Sequence, residues 1–352
     1  MKSHAPAISH DIPVPSGSLS EWTQGPRPAT PEAMTSPAPS SARPTDRILP
    51  GVALMLAFCV LAPLLDVASK LAAESGMPVG QITTARFVVQ GALMLPVLLL
   101  MGVPWRTDRR VASLLLMRAV FLILSTFSFV SGIAVMPVAD ALAIAFVEPF
   151  ILLILGSLIF GDEVGPRRIA ASVVGFGGAL LVIQPSLATF GLVALWPLGT
   201  AFAFAFYMLV TRAMSDRIHP VAMQLHTSLA GMAICLPLLV LFDGSGIGPL
   251  DALEPQGLQW LWLFGVGFWA AISHMCMTYA LKFAPSATLA PLHYTEIIAA
   301  VILGYLIFDD FPNPLTWAGI AVITGSGLYI IHRERLSARV KRRAAILPVE
   351  VP

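Results

Sequence analysis

Apolar runs follow one another from Leu49 almost to the C-terminus, broken by short polar stretches, and their length is the first structural statement the chain makes. A helix rises ~1.5 Å per residue, so about 20 apolar residues cross the ~30 Å hydrocarbon layer of a bilayer. Ten such runs can be marked, at about 50–73, 81–102, 111–134, 138–160, 168–185, 191–213, 221–242, 258–281, 286–308 and 314–332. Pro78, Pro104, Pro137, Pro166, Pro220, Pro285 and Pro314 stand at the boundaries, where a missing backbone N–H costs little because the first turn of a helix leaves its N–H groups unpaired anyway. The pattern predicts an all-α membrane protein with ten transmembrane helices.

Composition agrees, with 57% hydrophobic and only 12% charged residues, far from the roughly one-quarter charged residues of a soluble domain. Residues 1–47 hold nine prolines among Ser, Thr and Ala and no continuous apolar segment; such a stretch cannot bury enough surface to fold, and it reads as a disordered cytoplasmic tail with no secretory leader. Residues 336–352 read as a basic cytoplasmic tail. Lys and Arg collect on alternate connections (Arg106, Arg109 and Arg110; Arg167 and Arg168; Arg212 and Arg217; Lys282). This bias places both termini in the cytoplasm.

The net charge of +1 argues against a nucleic-acid partner, which requires a clustered basic surface. Cys59, Cys235 and Cys276 lie singly in apolar runs without metal-ligand spacing, so neither metal nor cofactor is expected. No HExxH, nucleophile elbow or Walker loop is present, and the chain is read as no enzyme.

The fourth run, Pro137 to Phe160, reads PVADALAIAFVEPFILLILGSLIF and carries a carboxylate, Glu148, near its middle. Shifting the numbering by 148 superimposes Pro285 to Phe308, PSATLAPLHYTEIIAAVILGYLIF, and Glu296 falls on Glu148. Beyond these runs Asp162 matches Asp310, Pro166 matches Pro314 and Gly177 matches Gly325. The chain therefore reads as a duplication of five helices. An odd number of spans makes the second copy enter the membrane from the opposite side, and inverted repeats of this kind hold a site near the midplane and alternate its access.

The segments LIFGDEVGPRRIAASVVGFGGALLVIQPS (158–186) and LAPLHYTEIIAAVILGYLIFDDFPNPLTWAGIAVITGSGLYIIHRER (289–335) resemble the two EamA domains of the drug/metabolite transporter superfamily, the branch with riboflavin importers and S-adenosylmethionine uptake carriers above all. The resemblance implies two inverted five-helix repeats, 48–186 and 191–335, around a central cavity. It implies a secondary transporter of the bacterial inner membrane for a small-molecule substrate. Riboflavin uptake is the leading expectation; S-adenosylmethionine, an amino acid or amine, or export on the same scaffold are the alternatives. Protons are the expected coupling ion, the lipid bilayer the surrounding partner, and a homodimer is left open. Glycines of the GFGG stretch read as close helix packing.

Ionisable groups inside a membrane are costly and by default mark a pathway or a coupling site. Glu148 and Glu296 come first, as substrate or proton sites or as structural partners of Arg118, which is itself a candidate to hold an anionic group of the substrate. His293 lies three residues before Glu296, on nearly the same helix face. His274 reads as an interhelical hydrogen-bond donor or a proton relay. Asp66 and Lys70, one turn apart, read as an i,i+4 ion pair, an outer gate or a substrate contact, with Arg86 close by in the second run. Tyr294 and Trp269 are the aromatics preferred for stacking on a ligand, and the second copy is expected to hold more of the substrate chemistry than the first.

Overall fold

The computed structural model describes residues 48–160, 166–283, 289–326, 328–329 and 332. Both tails and the Asp162–Glu163 turn lie outside the described residues. The described chain is helical throughout, with no strand: α1 (Ile48–Glu74), α2 (Val79–Leu100), α3 (Arg109–Ile133), α4 (Val138–Ala145), α5 (Glu148–Phe160), α6 (Pro166–Phe190), α7 (Trp196–Met214), α8 (Pro220–Phe242), α9 (Gln259–Phe283), α10 (Glu296–Phe308) and α11 (314–326). Six stretches among the described residues are long and apolar enough to cross a membrane, one of them running through α6 and α7. A multi-pass α-helical membrane protein follows from these lengths.

Local sequence explains most of the boundaries. The Asp108 carboxylate caps α3 by accepting a hydrogen bond from the Val111 N–H at 2.7 Å, and α8 begins with Pro220. α6 passes into α7 through a 3₁₀ turn, Gly191–Leu195, and Gly191 takes the left-handed φ of 65° that a side chain would resist. Pro63, Pro96, Pro185 and Pro237 lie inside helices, where packed neighbours tolerate the lost bond.

Two expected helices are not continuous. The run 138–160 breaks between α4 and α5, so that Glu148 becomes the first residue of α5. Pro149 has no N–H to offer the Ala145 carbonyl, and the chain turns at Phe146–Val147, where the Val147 N–H donates to the Ile144 carbonyl at 3.2 Å. The described part of the run 286–308 is likewise a 3₁₀ turn, Ala290–Thr295, that starts around Pro291 and hands over to α10 at Glu296. The breaks share one register across the duplication although different prolines cause them.

Long contacts join α1 to α9 and α3 to α7; α2 lies on α8 and α9, α3 on α8, α1 on α10 and the turn before it, and α7 on α4 and α5. Exchanging the two halves of the chain maps α2 on α8 onto itself and each of the other pairings onto another in the set. Close approach of α6 and α11 uses glycine as expected: a Cβ added at Gly319 would lie 2.7 Å from the Gly178 carbonyl oxygen. Gly177 and Gly325, in contrast, have nothing within 4 Å of an added Cβ.

A test follows from these glycines. Gly319→Val is expected to overpack the α6–α11 contact at a cost of about 1–3 kcal/mol and to lower the thermal midpoint of the detergent-purified protein. Gly325→Val should leave that midpoint unchanged.

Candidate functional site

Both helix breaks open onto one cavity of about 100 Å³, lined from α1, α2, α3, α4, α5, α7, α9, α10 and the turn before α10. Its volume is well below the ~300–1,000 Å³ of sites that hold drug-sized ligands. The helices must therefore part before a larger organic molecule can enter.

At one side of the cavity His293 stands between the two carboxylates. Its Nδ1 is 3.7 Å from Glu148 Oε2 and its Nε2 is 3.4 Å from Glu296 Oε2, and all three side chains are buried. Glu148 and Glu296 each sit in the first turn of a helix, where unpaired N–H groups and the helix dipole favour negative charge. His293 Nε2 has no hydrogen-bond partner despite the nearby carboxylate. The cluster can thus bind a cation or shuttle a proton between two acids through one imidazole.

Two phenyl rings separate this cluster from a second one. Phe58 lies 5.2 Å from the His293 ring and 5.9 Å from the His274 ring, and Phe204 lies 6.2 Å from each. Beyond them, a buried hydrogen-bonded chain runs through four residues. An Arg86 Nη2 N–H faces His274 Nε2 at 2.6 Å, His274 Nδ1 faces Tyr207 Oη at 3.2 Å, and Arg118 Nη2 donates to the same Oη at 2.6 Å. Arg86 also donates to the Thr126 hydroxyl. Arg118 is fully buried, donates to Thr211 at 2.8 Å and to Thr227, and lies 4.4 Å from the Tyr207 ring centroid.

Glu148, Glu296, His293, His274 and Asp66 all line the cavity. Arg118, Tyr294 and Trp269 do not. Arg118 makes no ion pair with Glu148 or Glu296 and is held by hydroxyls instead. Tyr294 packs edge-on against Phe146, centroids 5.6 Å apart, in the core formed by α4 and α10. Trp269 lies edge-on to Phe268 beside the α1–α9 core. The expected Asp66–Lys70 ion pair is not formed: Lys70 Nζ reaches instead to Asp310 Oδ2 at 2.6 Å, with Glu74 at 3.8 Å and the Phe308 ring 4.6 Å away. Asp309, at a left-handed φ of 56°, closes α10 and turns Asp310 toward that lysine.

Sequence reasoning gave too little weight to Arg86 and missed Tyr207 and Phe204. A usable signal was present in α2, where Thr83, Arg86 and Gln90 recur at i, i+3 and i+7 and form a polar stripe on an apolar helix. α8 carries the matching Gln224, Thr227 and Ser228. Gln90 Nε2 donates to Gln224 Oε1 at 3.2 Å, joining the two stripes.

Removing the hub of the second cluster tests its structural weight. Arg118→Leu removes the charged hydrogen bonds that tie α3 to Thr211 and Tyr207 of α7 and to Thr227 of α8, each worth about 1.5–3 kcal/mol, and is expected to lower the thermal midpoint of the purified protein by several degrees.

The model of the EamA-like transporter family matches this chain twice, over residues 49–184 and 191–332. Among curated relatives, a riboflavin transporter of Vibrio cholerae is 25% identical over 82% of this chain and 94% of its own length. A riboflavin transporter of Rhizobium johnstonii is 27% identical over 66% and 71%. An S-adenosylmethionine uptake transporter of Rickettsia prowazekii is 23% identical over 75% and 86%. One solved structure, described as "Crystal structure of protein", aligns with a TM-score of 0.61 at 18% identity over 80% of this chain and 96% of that one, a likeness of fold alone. With both matches together spanning most of its length, the chain belongs to the EamA-like transporter family.

Proposed function

We propose that this membrane transporter is a secondary carrier that moves a small organic metabolite by alternating access, with riboflavin uptake as its leading activity and proton exchange at Glu148, His293 and Glu296 as its coupling step. The observation that carries the proposal is the meeting of two broken helices at one buried cluster of two carboxylates and an imidazole. Discontinuous helices whose ends face a shared site are how carriers of this general type hold ions and substrates inside a bilayer. The half-exchange of helix pairings supports two inverted repeats, 48–186 and 191–335, of five spans each, and the bias of Lys and Arg among the connections supports both termini on the cytoplasmic side of a bacterial inner membrane. Two such halves have two equivalent arrangements of similar energy, and exchanging them opens the cavity to one side and then the other. On the side where α1 ends, the Lys70–Asp310 pair ties α1 to the end of α10 and serves as a gate contact.

Two substrate readings have support among the relatives. Two riboflavin transporters cover much of the chain, and flavin rings suit the phenyl groups at the cavity wall. S-adenosylmethionine is the second reading, because relatives with that printed substrate match over similar lengths and a sulfonium suits the carboxylate pair. Amino acids, amines and export on the same scaffold complete the range.

Proteoliposomes loaded with riboflavin, S-adenosylmethionine or amino acids, with and without a pH gradient, test the proposal. Riboflavin is expected to exchange and to accumulate with the gradient. Glu148→Gln and Glu296→Gln should each lower gradient-driven accumulation by about tenfold or more, the equivalent of about 1.4 kcal/mol. Normal rates and normal pH dependence in both variants would return the carboxylates to a structural role, and no exchange of any compound would remove the carrier reading.

A further inference from the structure

The cavity has a second polar side that proton coupling does not use. Arg86 lines it and is 4% exposed. One terminal nitrogen of its guanidinium is held by Thr126 and the other by His274, which fixes the plane of the group. Its Nε is buried and has no hydrogen-bond partner. Asp66 lines the same cavity but makes no ion pair with it, and among the described residues no carboxylate pairs with Arg86 or Arg118. A buried guanidinium with an unpaired N–H and no carboxylate within ion-pair distance, Asp66 acting on it only from across the cavity, is an expensive arrangement. An acceptor group arriving in the cavity would relieve it.

Donor and acceptor accounting sharpens the point. Arginine only donates, so His274 Nε2 must accept from Arg86, and the proton of this neutral ring is on Nδ1, directed at Tyr207 Oη. Arg118 donates to that same oxygen. Both acceptor positions of the Tyr207 hydroxyl are then filled, and each link of the chain has only one proton arrangement. The consequence at its cavity end is a guanidinium with fixed orientation. Such a planar fork reads two acceptors that lie side by side on one edge, and an ammonium group cannot copy it.

We propose that Arg86 is the substrate-recognition residue of this cavity and binds an edge carrying two adjacent acceptors, with His274, Tyr207 and Arg118 as positioning residues behind it. A carboxylate has such an edge, and so has a flavin ring, where the C4 carbonyl oxygen stands next to ring nitrogen N5. In either case the rest of the molecule lies between Phe58 and Phe204 and points its donor or cationic groups at Glu148 and Glu296. This inference rests on the carrier reading above and names the chemistry that its site selects.

Uptake into proteoliposomes distinguishes the two levels. Wild-type protein is expected to discriminate by about tenfold or more against the analogue with a damaged edge, 5-deazariboflavin, which lacks one acceptor, in the flavin arm and decarboxylated S-adenosylmethionine, which lacks both, in the sulfonium arm. Arg86→Gln and Arg86→Lys should raise the half-saturation concentration of the parent compound by a similar factor and bring the ratio between parent and analogue close to one. Tyr207→Phe, which removes the oxygen at the centre of the chain, should raise half-saturation with little change in maximal rate. Unchanged half-saturation and discrimination in Arg86→Gln would overturn the assignment while leaving the carrier reading intact. If that variant does not fold, wild-type protein decides alone: equal uptake of parent and analogue in both arms overturns the proposal. Wild-type protein that moves no parent compound would instead remove the carrier reading beneath it.

Discussion

An imidazole held between two carboxylates is the constraint on which the rest of this structure depends. Three ionisable side chains in a chain that is 57% hydrophobic cannot be left in hydrocarbon, so they must face one another or a cavity. His293 does both, standing within 4 Å of Glu148 and of Glu296. To bring the acids to the same ring, α5 and α10 must each begin part-way along an apolar run rather than at its start. The breaks before them, the small cavity beside them and the close packing of α1 on α9 and of α3 on α7 all answer that need.

The second cluster solves a different problem. Arg86 and Arg118 bring two guanidinium groups into the same interior, and among the described residues neither forms an ion pair with an acid. Hydroxyls and one neutral imidazole solvate them instead, from Thr126, Tyr207, Thr211, Thr227 and His274. Phe58 and Phe204 keep this donor-rich side apart from the acidic side. Separated charge across a small apolar gap gives the cavity a polarity that a substrate must match end for end.

Much of this was legible from residue order. Run lengths announced a membrane protein, the 148-residue shift paired Glu148 with Glu296, and the three-residue spacing from His293 to Glu296 put that histidine beside its acid. The helix breaks were harder to read. Pro149 and Pro291 sit in runs apolar enough to look continuous, and proline is tolerated inside α1, α2, α6 and α8 of the same chain. Arg118 illustrates another limit. A buried arginine invites a carboxylate partner, but its true neighbours are hydroxyls from α7 and α8, residues that look unremarkable along the sequence. Lys70 shows the same thing at the end of α1, where Asp310, 240 positions away, displaces the acid one turn below it.

Proton movement during riboflavin uptake is the most direct test of the central claim. A pH-sensitive dye sealed inside proteoliposomes should report protons crossing together with riboflavin in wild-type protein, and His293→Gln, which keeps a polar side chain between the acids but cannot carry the charge, should abolish that signal while the protein stays folded. Riboflavin uptake with no accompanying proton signal in wild-type protein, or an undiminished signal in His293→Gln, would contradict the account.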